Sequence, residues 1–296
     1  MNISVVIPSY NRKEFLKRSI DSAINQTKKP FEIIVVDDGS TDGTETMIKS
    51  DYDFVKFIKQ KNKGVSAARN VGIKVSIGDW ICFLDSDDEW KKDKLEKQII
   101  AMKSNPGYKF FHSNEIWIKN GIRINQKKKH KKYGGDIFDK CLDMCRISPS
   151  SVMIDKTVFD EVGNFNEDLV VCEDYELWLR ICDKYRVFFI DEPLIIKYGG
   201  HQGQLSYSIE SIENHRIKAL EHLILGNLNR KNKRHAIQML LSKLNIYLKG
   251  LVKRRKNDEI AVYQEKIKVW NKFSICLLYT SPSPRDATLS RMPSSA

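Results

Sequence analysis

The sequence predicts an α/β fold: a mostly parallel central sheet, helices on both faces, and a C-terminal helical appendage. Three observations carry this. Short β-branched runs alternate with helical spacings through residues 3–103. Loops rich in Asp and Gly follow the runs, as in open α/β sheets that bind ligands at their strand ends. From residue 209 the spacing is helical throughout.

Residues 3–7 form a continuous apolar run stopped by Pro8-Ser9-Tyr10-Asn11, the pattern of a strand buried on both faces. Residues 12–26 carry Phe15, Leu16, Ile20, Ala23 and Ile24 at helical spacing. Phe31–Val36 is the second strand, 42–50 a helix, Phe54–Ile58 a strand, Gly64–Ile77 a helix, Trp80–Leu84 a strand and Asp93–Lys103 a helix. From residue 108 shorter strands are expected at Tyr108–His112, Glu115–Lys119 and Gly121–Asn125, with Asn120-Gly121 as a hairpin turn. Lys127–Lys132, with His130 inside it, reads as an exposed basic loop. Strand Ser151–Ile154, helix Lys156–Val162, helix Glu173–Asp183 and strands Val187–Ile190 and Leu194–Lys197 complete this region. Helices are expected over 209–228 and 234–253, linked by Asn229–Lys233.

Composition narrows the function classes. The chain has 296 residues with 41% hydrophobic, enough for a real core, and 30% charged. No run approaches the roughly 18–20 apolar residues of a spanning helix, and the N-terminus has no signal-peptide pattern. The six cysteines include no CxxC pair, so reduced thiols in a cytoplasmic protein are expected. Cys141 and Cys145 are spaced i, i+4, which reads as two packed thiols or as half of a metal site.

Three acid clusters follow predicted strands. Asp37-Asp38-Gly39-Ser40-Thr41-Asp42-Gly43 is a turn with helix caps, or a site whose carboxylate accepts a nucleobase N–H. Asp85-Ser86-Asp87-Asp88 places three acids after a buried strand, where they repel one another unless a cation neutralises them. Carboxylates at i and i+2 of such a turn present oxygens to one hard divalent ion, which also takes diphosphate oxygens. Glu173-Asp174 opens a helix; acids there suit the helix dipole or a carboxylate base. Leu177 and Trp178 follow Asp174 at i+3 and i+4, so Asp174 is expected to be the more enclosed of the two.

Together these segments resemble family 2 glycosyltransferases of the GT-A, Rossmann-like fold. The matching segments are Val5–Asn11, Val35–Asp42, Gly64–Asn70, the DxD-like Leu84–Asp88, Glu173-Asp174, and His201 with Gln204-Leu205-Ser206. The resemblance implies a donor site of Pro8, Tyr10, Asn11, Asp38, Ser40, Arg69, Asp85 and His201. It implies Asp87, with Asp85, as ligands of Mn2+ or Mg2+. Asp174 would be the general base, with Glu173 contacting the acceptor or orienting the loop. Arg69 would lie near the diphosphate or hold the acidic loop. The implied reaction is inverting transfer from a nucleotide-sugar, a UDP-sugar in the first instance, to a hydroxyl of a glycan or lipid-linked acceptor in cell-surface polysaccharide synthesis. A nucleotidyltransferase is disfavoured, because Pro8-Ser9-Tyr10-Asn11-Arg12 replaces the Gly- and Arg/Lys-rich loop it would need. A silent sugar-nucleotide or glycan-binding module would have lost the acids, and both acid motifs are present.

The expected organisation is a catalytic domain over 1–208, with a donor half 1–107 and an acceptor half 108–208, then a helical region 209–275 and a tail 276–296. The tail breaks to Ser/Pro-rich composition and resembles a translated sequencing adapter, so the natural chain is expected to continue past Ile275. The net charge of +12 would steer anionic donors. No nucleic-acid motif accompanies it, so no nucleic-acid partner is expected. Lys249, Lys253, Arg254, Arg255 and Lys256 lie among apolar residues at helical spacing. That helix is expected either to touch the inner membrane surface or to pack on the catalytic domain or a second subunit.

Overall fold

The computed structural model describes residues 1–200 and 211–279. The chain forms two compact units, Met1–Leu223 and Ile224–Ala296. The expected boundary at 208/209 lies outside the described residues, as does the tail from residue 280.

The first unit alternates strands and helices as the sequence pattern requires. Its first half runs β1 (Ile3–Ser9), α1 (Lys13–Ile24), β2 (Glu32–Asp37), α2 (Thr44–Asp51), β3 (Lys56–Lys59), α3 (Val65–Val75), β4 (Trp80–Phe83), β5 (Glu89–Trp90) and α4 (Lys94–Ser104). The second half runs β6 (Phe110–Lys119), β7 (Ile122–Ile124), α5 (Phe138–Cys141), β8 (Met153–Asp155), α6 (Thr157–Val162), α7 (Glu173–Lys184), β9 (Phe188–Gly199) and α8 (Ile212–Leu225).

All strands join one nine-stranded sheet of order β3-β2-β1-β4-β8-β6-β9-β5, with β7 added to β6. β3, β2, β1 and β4 are parallel; β8 then runs antiparallel to both β4 and β6. Every residue of β1 is buried, as a central strand covered on both faces must be. Helix α3 presses so closely on β1 that a Cβ on Gly72 would stand 2.2 Å from Val6 Cγ1, so only glycine fits there.

The region after residue 107 departs from the expected short strands. β6 is one ten-residue strand, and the two expected strands over 187–197 are one twelve-residue strand, β9. The two pair in parallel along their length, with register shifts at Ser113/Asn114 and Asn114/Glu115. Those irregularities occupy the polar residues that read as a break in the sequence. The hairpin turn forms as expected, with Asn120 and Gly121 at φ of 51° and 78°, the left-handed pair of a type I′ turn.

The basic loop is only partly exposed: Lys132 is buried against the Glu115 carboxylate at 3.1 Å. A buried acid on β6 needs a cation, and this neighbouring loop supplies it. Burial works to raise the Glu115 pKa, but Lys132 and Lys197 outweigh it and hold the carboxyl at about 2. His112, fully buried on β6, bonds through Nε2 to the Tyr133 carbonyl at 2.8 Å.

The second unit holds α9 (Arg230–Lys253) and α10 (Asn257–Tyr279), whose facing rings Tyr247 and Tyr263 lie 4.7 Å apart. Asn229 is the N-cap of α9, its side chain accepting the Asn232 N–H, so the expected linker 229–233 is mostly helix start. Helix α10 lies for most of its length within the expected helical region 209–275, and it runs past Ile275 to Tyr279. Among the described residues, no helix is long and apolar enough to cross a membrane.

Burial, with Lys132 nearby, holds the His112 imidazole down at about 3 against an ordinary 6.5. The unfolded chain takes up this proton below about pH 6.5 and the folded chain only near 3, so this stability is full above 6.5 and lost as pH falls. Each unit costs about 1.4 kcal/mol. Urea titrations at about pH 6.5 and 4.5 should show the wild type losing about 2–3 kcal/mol more than His112→Gln. Parallel losses in the two chains would contradict it.

Candidate active site

The site forms where the C-terminal ends of β1, β2 and β4 meet the start of α7. Parallel strands deliver their loops to one sheet edge, and acids placed there cannot disperse.

The first two loops interlock. Asn11 takes φ 50° after Tyr10; its N–H donates to Ser40 Oγ at 2.8 Å, and its Oδ1 accepts the Thr41 N–H at 2.8 Å. Pro8 and Ser40 are buried, whereas Tyr10 is 47% exposed and leaves its ring open to a planar ligand. Asp38, at the end of β2, is buried. It accepts from Gln60 Nε2 at 2.7 Å and from the backbone N–H groups of Lys63 and Gly64 at 2.8 Å each. Three donors leave room for about one more on a carboxylate. Asp38 thus holds the loop leading into α3 and retains capacity to accept one further N–H.

The acidic loop after β4 is anchored through its backbone. Ser150 Oγ accepts the Asp85 N–H at 3.0 Å and donates to Asp88 Oδ2 at 2.6 Å. Ser19 Oγ on α1 faces the carbonyls of Ser86 and Asp88 at 2.8 and 2.7 Å. Arg18 Nη2 donates to the Asp87 carbonyl at 2.7 Å.

The expected repulsion among the three acids is answered by three cations of the chain. Arg12 Nη1 lies 2.5 Å from Asp87 Oδ2, Arg69 Nη2 lies 2.7 Å from Asp85 Oδ1, and Lys197 on β9 faces Asp88, Asp85 and Asp87. Burial works to raise the Asp85 pKa, but Arg69 and Lys197 outweigh it and hold the carboxyl below its usual range. Asp88 differs: burial, with Asp87 and Asp85 beside it, pushes its carboxyl well above the usual range despite Lys197.

Arg69 bonds the acidic loop and α7 together. Its guanidinium spans Asp85 and Glu173, with Nη1 2.6 Å from Glu173 Oε1 and only 4% of its side chain exposed. The bridge ties β4 to the first turn of α7, opened by Cys172 at φ 64°.

This arrangement reverses the expected burial of the two α7 acids. Glu173 is buried, and Asp174 is the half-buried one. The i+3/i+4 argument fails because α7 is buried nearly all round, so its apolar positions do not single out a face. Arg69 off the helix end decides, drawing Glu173 inward. Burial, and then the Asp174 charge, push Glu173 up to about 7 against the pull of Arg69. Asp174 Oδ1 accepts the Tyr175 N–H at 2.6 Å, and Oδ2 lies 3.4 Å from Cys145 Sγ.

The structure therefore brings Pro8, Tyr10, Asn11, Asp38, Ser40, Arg69, Asp85, Asp87, Glu173 and Asp174 to one edge of the sheet. His201 lies outside the described residues. Sequence reasoning missed Arg12, Ser150, Lys197 and Cys145 as members of the site. Arg12 directly follows the first motif and was open to inference; Lys197 follows the apolar run Leu194–Ile196 of β9, where nothing local marks it. Cys141 and Cys145 do not share a helix, since α5 ends at Cys141.

The fold and site define a GT-A enzyme scaffold with a nucleotide edge, an acidic loop and a carboxylate pair. Comparison with known proteins agrees. The family model "Glycosyl transferase family 2" matches residues 4–163, and the chain belongs to that family. An uncharacterized glycosyltransferase of Rickettsia conorii is 39% identical over 200 residues, covering 65% of this chain and 32% of the relative, so the chain spans about a third of that protein. The Escherichia coli UDP-Glc:alpha-D-GlcNAc-diphosphoundecaprenol beta-1,3-glucosyltransferase WfgD is 33% identical over 201 residues, covering 62% of this chain and 77% of WfgD. The crystal structure of S. aureus TarS 1–349 with UDP-GlcNAc superposes with a TM-score of 0.65 at 20% identity, covering 83% of this chain and 72% of TarS 1–349, a likeness of fold.

Removing Arg69 leaves the buried Glu173 and the half-buried Asp85 without that partner. Arg69→Gln is expected to cost about 3–5 kcal/mol in urea unfolding. Arg69→Lys should recover only part, since one ammonium cannot reproduce the two-armed bridge. A loss below about 1 kcal/mol for Arg69→Gln would show that the bridge is dispensable.

Proposed function

We propose that this chain transfers a sugar from a nucleotide-sugar to a hydroxyl of a glycan or lipid-linked acceptor, with inversion at the anomeric carbon. The observation that carries the reading is the Arg69 bridge. It sets the acidic loop and the α7 carboxylates side by side at the sheet edge that also holds the nucleotide loops.

In this reading Tyr10 stacks on the base and Asp38 accepts a base N–H through its remaining lone pair. Asp174 is the base: it is half-buried and borders the site, whereas Glu173 is committed to Arg69. The acceptor oxygen loses its proton to Asp174 as it bonds to the anomeric carbon. The bond from that carbon to the diphosphate breaks on the opposite face and the electron pair leaves with the diphosphate. Glu173 keeps α7 in register and touches neither substrate.

The acidic loop also fits a divalent ion. Asp85 and Asp87 offer carboxylate oxygens on one turn, and hard ions such as Mn2+ or Mg2+ take one or two carboxylates plus substrate phosphate oxygens. Among the described residues no group of three or more His, Cys, Asp or Glu side chains is placed to hold a metal ion. Such an ion, when bound, neutralises charge on the departing diphosphate.

WfgD, by its name, uses UDP-Glc and a diphosphoundecaprenol-linked acceptor. A UDP-sugar donor, a lipid-linked acceptor and peripheral contact with the inner membrane face through the basic helices extend that precedent to this chain.

Release of nucleoside diphosphate from a panel of UDP- and GDP-sugars, with and without Mn2+, tests the reaction class. Release with no donor at all would favour a silent binding module. Asp174→Asn should lose about 10²–10⁴ in turnover with UDP affinity intact, the range of a general base. Glu173→Gln should instead show its main loss in melting temperature. Normal turnover by Asp174→Asn, with Glu173→Gln folded but dead, would reverse the assignment.

A further inference from the structure

Two of the arginines at the acidic loop, Arg69 and Arg12, are held differently. Arg69 bridges two acids and is 4% exposed. Arg12 meets Asp87 with 19% of its side chain exposed, against 14% for Asp87. Arg12 is also the N-cap residue of α1, directly after the Tyr10-Asn11 nucleotide loop, and its side chain makes no capping bond. Its guanidinium therefore sits at the border between the nucleotide loop and the acidic loop.

Ser19, Arg18 and Ser150 hold the carbonyls and N–H groups of Asp85–Asp88, and Arg18 is itself stacked 3.7 Å from the Tyr198 ring centroid. Arg12 holds the Asp87 carboxylate. A divalent ion on that carboxylate would stand within a few ångströms of the guanidinium, and two cations at that separation repel strongly when partly shielded from water. The arriving diphosphate brings negative charge beside the same guanidinium, in the geometry that arginine recognises in two-armed fashion.

We propose that Arg12 is an exchangeable counter-ion: it occupies Asp87 in the absence of metal, yields that carboxylate to the divalent ion, and then binds the donor diphosphate. This rests on the reading of Asp87 as a metal ligand. Metal and nucleotide binding are then coupled through one side chain, because each ligand makes room for or recruits the guanidinium that the other ligand moves. Arg12 is a positioning residue for the metal and a binding residue for the donor.

Calorimetric titration of the full chain with MnCl2, alone and with UDP, and with UDP at saturating Mn2+, tests it on the wild type, Arg12→Gln, Arg12→Lys and Asp87→Asn. A melting curve on each confirms folding. Arg12→Gln should bind Mn2+ alone at least about threefold more tightly than wild type and bind UDP about tenfold more weakly, so that UDP strengthens Mn2+ binding less. Arg12→Lys should fall between the two. Unchanged or weaker Mn2+ binding by folded Arg12→Gln would overturn the exchange while leaving Asp87 as a ligand. Asp87→Asn binding Mn2+ as well as wild type, or no Mn2+ binding by any chain even with UDP, would remove the metal reading itself and the exchange with it.

Discussion

Everything at the site depends on one buried guanidinium. Arg69 comes from α3, Asp85 from the end of β4 and Glu173 from the first turn of α7, and the three meet far from their positions in sequence. Burying this many charges is costly, and the cost is offset only while geometry and partners are complete. The bridge therefore acts as a register pin. It fixes how the loop after β4 meets the first turn of α7. Glycine at position 72 serves the same end from below, letting α3 lie close enough on β1 for Arg69 to reach inward.

From this constraint follows the division of labour between the two α7 acids. One carboxylate must turn inward to complete the bridge, and the other is left at the edge of the site. Adjacent residues on a helix diverge by about 100°, so they cannot both do either job. The same logic separates the acids of the loop after β4. Asp85 is tied to Arg69 and Asp88 is bonded by the Ser150 hydroxyl, while Asp87 meets the more exposed Arg12. Charge density is thus not spread evenly over Asp85–Asp88. It is held by Arg69 at one end, hydrogen-bonded by Ser150 at the other, and paired with the more exposed Arg12 in between.

Much of this was legible in the sequence. The apolar runs at 3–7, 31–36 and 80–84 mark the central strands because a strand buried on both faces has no polar alternation to confuse with a helix. The acid clusters were legible because consecutive carboxylates after such strands exceed what a turn or a cap needs. Three things were not. Long-range register was hidden: β6 and β9 read as pairs of short strands, since polar residues at their register shifts look like ends. Relative burial of Glu173 and Asp174 was hidden, because it is decided by an arginine 104 residues away rather than by the helix's own spacing. The cations of the acid loop were hidden for the same reason. Lys197 comes beside the loop because β5, which directly follows the loop, pairs with β9 at Glu89 and Ile196.

Diffraction from crystals of this chain grown with UDP and Mn2+, recorded where manganese scatters anomalously, measures the central claim directly. The account predicts an anomalous peak at roughly 2.2 Å from a carboxylate oxygen of Asp87, within reach of the diphosphate, with Arg69 still bridging Asp85 and Glu173. A peak away from the loop, or an Arg69 that has left Glu173 for the diphosphate, would contradict it.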